Sequence, residues 1–156
     1  MNRLYSISTH LKKNYRLYNQ RLIEKLNERG FLDLRMSFLD VLSFICDNEG
    51  AAIKEIGESC GLKKQTMTSH LNELEKRGYI VRSPDPKDKR KMGVYMTEYG
   101  RSFKLALFDC AKEIEELYID KIGSVELERM EHMLSSFYGR FAEDQLGSKA
   151  EVKPQD

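Results

Sequence analysis

The side chains best suited to chemistry lie in two adjacent runs, and both favour hydrogen bonding over bond breaking. The first is Lys63-Lys64-Gln65-Thr66-Met67-Thr68-Ser69-His70-Leu71-Asn72. Wound as a helix, it turns Met67, Leu71 and Leu74 to one face and Lys64, Gln65, Thr68, Ser69 and Asn72 to the other, with Thr66 near the N-terminal edge. Short polar side chains of this kind suit a surface laid against base edges: a glutamine amide can pair with adenine N6 and N7, and a threonine offers a hydroxyl and a methyl. Lys63 and Lys64 at the helix start suit phosphate, with the free backbone N–H groups there. The second run is Ser83-Pro84-Asp85-Pro86-Lys87-Asp88-Lys89-Arg90-Lys91, a turn carrying four cations. A turn of this kind at the tip of a two-stranded ribbon can reach a narrow minor groove, where arginine is favoured. An acidic residue in such a loop is useful if it orients a cation, so a pairing of Asp88 with Arg90 is expected.

The overall charge hides this arrangement. The 156-residue chain has a formal net charge of only +1. Between Lys63 and Lys104, however, eleven Lys/Arg stand against five Asp/Glu, a local net of +6 that leaves −5 on the remainder. One basic region on a mildly acidic body is the asymmetry of a localised phosphate-binding surface.

Other chemistries lack their parts. There is no glycine-rich phosphate loop and no nucleophile elbow. The three histidines, His10, His70 and His132, are scattered. Cys46, Cys60 and Cys110 are widely spaced and odd in number, which makes neither a disulfide framework nor a metal site. No catalytic residue, metal or cofactor is expected. No apolar run approaches the ~20 residues of a membrane span, and the start of the sequence does not read as a secretory signal. A reducing, prokaryotic cytoplasm is the expected location.

The elements that must position the two runs follow from periodicity. Leu4, Ile7, Leu11, Tyr15, Tyr18, Leu22 and Leu26 recur at spacings of three and four, which predicts a helix over 4–28. Further helices are predicted over 35–47, 53–59 and 64–77, the last stopping at Gly78. Tyr79–Arg82 and Met92–Thr97 read as strands of a hairpin around the charged turn. Helices from about 99 to 122 and 124 to 146 follow, broken at Gly123. The tail 147–156 is polar and expected to be disordered. The predicted fold is mainly α with a two-stranded β-wing (α+β). A winged helix-turn-helix over about 34–97 is flanked by N- and C-terminal dimerisation helices, 4–28 and 99–146, in one domain over 1–146. Those flanking helices carry more apolar surface than a small core can take, which predicts a helix-to-helix homodimer.

The two runs also resemble a known family. Leu71–Arg82 resembles the L-x-x-L-E-K-R-G-L-V-x-R stretch of MarR-family regulators. Asp85-Pro86-Lys87-Asp88-Lys89-Arg90, with Val94, Met96-Thr97-Glu98 and Gly100-Arg101, resembles that family's wing, D-x-x-D-R-R…V-x-L-T-x-x-G-R. The resemblance spans nearly the whole chain in helix order. It implies a homodimeric transcriptional regulator that binds a pseudo-palindromic double-stranded DNA operator. It places Asp88 and Arg90 in the family's wing positions, with Arg90 in the minor groove, and Gln65, Thr66, Thr68 and Ser69 in its recognition-helix positions. The sequence departs from the pattern in three places: Ser69 stands where arginine is frequent, Lys89 replaces the first arginine of the wing pair, and Gly93 occupies a strand position that is usually bulkier.

The same resemblance implies a small phenolic or anionic effector, bound between the dimer helices and the DNA-binding lobe, that releases DNA. Phe38 as an aromatic wall, His10 and Tyr15 as polar contacts, and His70 as a sensor of ligand or pH are the candidates. Two alternatives stand beside this reading: a winged-helix module that docks proteins, and a redox-responsive regulator in which oxidation of Cys60, in the turn before the recognition helix, moves the DNA contacts.

Overall fold

Among the described residues, the apolar spacing of the sequence becomes six helices and one hairpin. The computed structural model describes residues 2–150, with side chains described through residue 144. The elements are α1 (Arg3–Glu28), α2 (Met36–Asp47), α3 (Ile53–Cys60), α4 (Lys64–Lys76), β1 (Ile80–Pro84), β2 (Met92–Met96), α5 (Glu98–Ile122) and α6 (Ser124–Ala150). The described residues group into two compact units divided within α5, one up to Lys112 and one from Glu113 on. The backbone of α6 continues helical to Ala150, past the boundary expected at Leu146, and the rest of the expected tail lies outside the described residues.

In the first unit the core is built from one face of each short helix. Phe38, Leu39, Leu42 and Ile45 of α2, Ile56 of α3, and Met67, Leu71 and Leu74 of α4 are all essentially inaccessible to solvent. Each side chain so enclosed contributes about 1.5–3 kcal/mol of burial. Leu22 and Leu26 of α1 join this core. The N-terminal part of the α1 stripe does not, for Leu4, Ile7, Leu11, Tyr15 and Tyr18 are exposed within one chain. Behind the wing an aromatic cluster closes the core: the Tyr79 and Phe103 ring centroids lie 5.3 Å apart, edge to face, and those of Phe31 and Phe103 5.5 Å apart.

The hairpin begins one residue later than its composition suggests. The Tyr79 N–H donates to the Leu74 carbonyl and so belongs to the end of α4. From Ile80 the strands pair antiparallel, with Arg82 opposite Val94 and Ser83 opposite Gly93. The α2–α3 loop runs along the far edge of β2: the Gly50 N–H donates to the Val94 carbonyl at 2.8 Å and the Val94 N–H to the Ala51 carbonyl at 3.0 Å. This approach explains Gly93. A Cβ there would sit 2.8 Å from the Gly50 carbonyl oxygen and 2.9 Å from the Tyr95 ring, so the loop and β2 can meet only across a glycine.

The Thr-x-x-Gly pattern after the wing has an equally physical cause. Thr97 caps α5, its Oγ1 accepting from the Gly100 N–H at 3.0 Å. Its hydroxyl donates to the Gly78 carbonyl, and its N–H donates to the Tyr79 carbonyl at 3.1 Å. The start of α5 is thereby held against the turn that ends α4. A Cβ at Gly100 would fall 2.1 Å from the Tyr79 carbonyl oxygen, so only glycine permits the contact.

Candidate nucleic-acid interface

The polar face of α4 is free to meet a ligand. Lys63, Lys64, Gln65, Thr66, Thr68, Ser69 and Asn72 are all exposed, while Met67, Leu71 and Leu74 anchor the helix from behind. Lys63 occupies the N-cap position without a side-chain capping bond. The first intrahelical bond runs from the Met67 N–H to the Lys63 carbonyl, which leaves the N–H groups of the first turn pointing outward at the positive end of the helix dipole, beside two lysines. Thr68 differs from its neighbours: its Oγ1 donates to the Lys64 carbonyl at 2.9 Å. Its proton is committed, and it presents a methyl and an acceptor oxygen.

The wing tip is built by two aspartates. Asp85 Oδ1 accepts from the Lys87 N–H at 2.7 Å and the Asp88 N–H at 3.4 Å. Asp88 Oδ1 accepts from the Arg90 N–H at 3.1 Å. These are successive Asx turns, and they fold the loop without help from the core. The same Asp88 Oδ1 lies 3.6 Å from Arg90 Nε, while the Arg90 side chain is 96% exposed. Asp88 therefore does pair with Arg90, gripping it at Nε and leaving the guanidinium tip outward. Lys87, Lys89 and Lys91 are exposed around it.

Helix and wing are joined by a contact that no spacing in the sequence announces. Arg82 of β1 donates from Nη2 to Asn72 Oδ1 at 2.7 Å, and to Glu75 Oε2 from Nη2 at 2.5 Å and from Nε at 3.1 Å. Its hydrogen bond holds the Glu75 carboxyl below the ordinary range, so the acid is ionised. The i,i+3 spacing of Asn72 and Glu75 signals a shared helix face, but nothing local says that Arg82 folds back onto it.

The four effector candidates are not brought together. Phe38 and His70 meet, ring centroids 5.0 Å apart, edge to face. Phe38 is a core residue, 1% exposed, with the Arg35 and Arg77 guanidinium carbons 4.4 and 5.1 Å from its centroid. It therefore forms no open aromatic wall within this chain. Burial and the nearby Arg35 charge hold His70 below its ordinary pKa, so it is neutral near pH 7. Tyr15 bonds to Asp40 of α2, hydroxyl to both carboxylate oxygens, at 2.5 and 2.6 Å. His10 is exposed on α1. Cys60 is half-buried, and burial with the Asp40 charge pushes its thiol up, away from the reactive thiolate.

Comparison with known proteins agrees with this geometry. Residues 39–91, from α2 to the wing tip, match the profile of the MarR family. The transcriptional regulator SarZ of Staphylococcus aureus is 34% identical over 82 residues, 53% of this chain, so the match spans about half (55%) the length of that relative. Among solved structures, Streptococcus pneumoniae FabT, in a complex with DNA, superposes with a TM-score of 0.69 at 26% identity, covering 91% of this chain and 99% of that one. CouR of Rhodococcus jostii, bound to p-coumaroyl-CoA, gives 0.69 at 25% identity over 84% and 90% of the two chains. In sequence over residues 39–91, and in fold over most of its length, the chain is similar to winged helix-turn-helix transcriptional regulators of the MarR family.

Proposed function

We propose that this protein binds double-stranded DNA sequence-specifically as a homodimer and represses transcription until a small molecule releases it. The observation that carries the reading is the pair of open, donor-rich surfaces on one lobe: the uncapped, lysine-flanked start of α4 and the Asp88-braced Arg90. Gln65, Thr66 and Ser69 face base edges in the major groove, with Thr68 supplying a methyl and an acceptor. Lys63 and Lys64 hold phosphate, and Arg90 enters the adjacent minor groove with Lys89 on its wall. The dimer is supported by the exposed apolar face of α1 and by Phe137 and Phe141 of α6, both exposed, with tilted rings whose centroids lie 5.1 Å apart. A twofold dimer calls for a pseudo-palindromic operator.

Binding to duplex DNA followed by fluorescence anisotropy tests this. Affinity should fall steeply as salt rises, and Gln65→Ala or Ser69→Ala should change which sequences are selected from a random pool. Salt-independent binding, or none at low salt, overturns the proposal. Phe137→Asp should give a monomer by sedimentation, with DNA affinity reduced to that of a half-site.

For the effector, Tyr15 and Asp40 support the phenolic class over the anionic. Their bond joins α1 to α2, and Asn19, one turn after Tyr15, is buried beside the same hydroxyl. A phenol can compete for the Asp40 carboxylate, whereas an anion is repelled by it. Titration with simple phenols and carboxylates, read as release of bound DNA, tests the choice. Release by carboxylates alone reverses it.

A further inference from the structure

We propose that Asn72 and Arg82 together form an electrically neutral, donor-only phosphate anchor between the recognition helix and the wing. The proposal rests on the DNA-binding reading above and adds to it a site and a mode of contact. It starts from the orientation of the Asn72 amide. A guanidinium can only donate, so the group that meets Arg82 Nη2 at 2.7 Å must be the amide oxygen. The NH2 group then faces the opposite way, from an exposed residue that lies on the same helix face as Gln65 and Ser69. Reading adenine with an asparagine needs both ends of the amide, the oxygen accepting from N6 and the nitrogen donating to N7. With the oxygen taken, Asn72 keeps two N–H donors, which suit phosphate oxygens. On this proposal Asn72 meets phosphate, not the base edges that Gln65 faces.

Arg82 completes the anchor. Nε and Nη2 are committed to Glu75 and Asn72, and Nη1 has no hydrogen-bond partner among the described residues. The ionised Glu75 cancels the Arg82 charge, so the pair offers N–H groups without net charge. Position supplies the remaining argument. Arg82 stands on the first wing strand opposite Val94, and its bond to Asn72 spans from α4 to β1. With α4 in a major groove and the wing tip in the adjacent minor groove, the phosphate chain that separates the grooves passes between the two elements.

The test compares two probes by anisotropy across a salt series: a duplex selected by the protein from random sequence, and a scrambled duplex of equal length. Asn72→Ala should weaken both to a similar extent, roughly fivefold for one neutral hydrogen bond. The slope of log affinity against log salt should stay unchanged, whereas Arg90→Ala should lower it by about one per protomer. Asn72→Asp keeps an acceptor for Arg82, and so the internal bond, but loses both donors. It should fold normally by circular dichroism and weaken binding at least as much as Asn72→Ala. Loss confined to the selected duplex makes Asn72 a base reader and overturns the anchor, as does wild-type affinity in Asn72→Asp. If the unmutated protein binds neither probe at any salt, the DNA-binding reading fails as well.

Discussion

The hydroxyl of Tyr15 on α1 reaches both carboxylate oxygens of Asp40 on α2, at 2.5 and 2.6 Å. Burial first, and the Asp40 carboxylate second, push the Tyr15 hydroxyl up to about 12, so it holds its proton, and the bond, well past neutrality. The contact ties a long terminal helix to the helix-turn-helix lobe through a single charge-assisted hydrogen bond between side chains 25 residues apart.

Tyr15→Phe should therefore lower stability by about 1 kcal/mol in urea denaturation near pH 7. The pH dependence has a definite sign. A folded-state value raised above the ordinary tyrosine value of about 10 means that the native state holds the proton more tightly. The stabilisation is complete below about pH 10 and disappears as pH rises towards 12. The wild type and Tyr15→Phe should converge over that window, and a difference that persists undiminished argues against the bond as its source.

Asp88 supplies a prediction opposite to that of simple charge. Removing an acidic residue from a DNA-facing loop ought to strengthen binding by electrostatics alone. Because Asp88 accepts from the Arg90 N–H and lies 3.6 Å from Arg90 Nε, Asp88→Ala should instead weaken binding to all duplexes. Arg90→Ala should weaken it further, and the double mutant should resemble Arg90→Ala alone. Anisotropy on the three variants decides the matter, and a tighter-binding Asp88→Ala refutes the bracing role.

The two close-approach glycines should differ in severity. Gly93→Ala must push the α2–α3 loop or the Tyr95 ring away from β2, and about 1–3 kcal/mol of overpacking is expected. Gly100→Ala places a methyl inside the Tyr79 carbonyl oxygen, and the start of α5 cannot dock unless the backbone moves. Thermal melts should show a lowered midpoint for Gly93→Ala and little or no cooperative transition for Gly100→Ala.

Cys60 should be a sluggish thiol. Burial and the Asp40 charge raise it above the usual range, and burial, the larger influence, pushes Cys46 up to about 11. Peroxide at neutral pH should leave DNA affinity unchanged, and a thiol reagent should label the native protein far more slowly than the urea-unfolded one. Rapid labelling with loss of DNA binding restores the redox alternative.

What the sequence determines by itself is what depends on neighbours three or four residues apart. Helical spacing places Met67, Leu71 and Leu74 inward and Gln65, Ser69 and Asn72 outward, and the prolines and charges of 83–91 force a turn that Asp85 and Asp88 then shape locally. The capping of α5 by Thr97 is likewise local. Tertiary structure decides what depends on distant partners. The family resemblance suggests that Phe38 walls a pocket, but packing from α4 and from Arg35 buries its ring. It groups His10 with Tyr15 because they share a helix, yet Tyr15 turns to Asp40 while His10 faces solvent. Gly93 looks like an anomaly until the 49–51 loop is seen lying against it. The orientation of the Asn72 amide is settled by Arg82, ten residues away and on another element. Periodicity fixes which way a side chain points, but what it meets there depends on how separate elements pack, and no spacing along the chain encodes that.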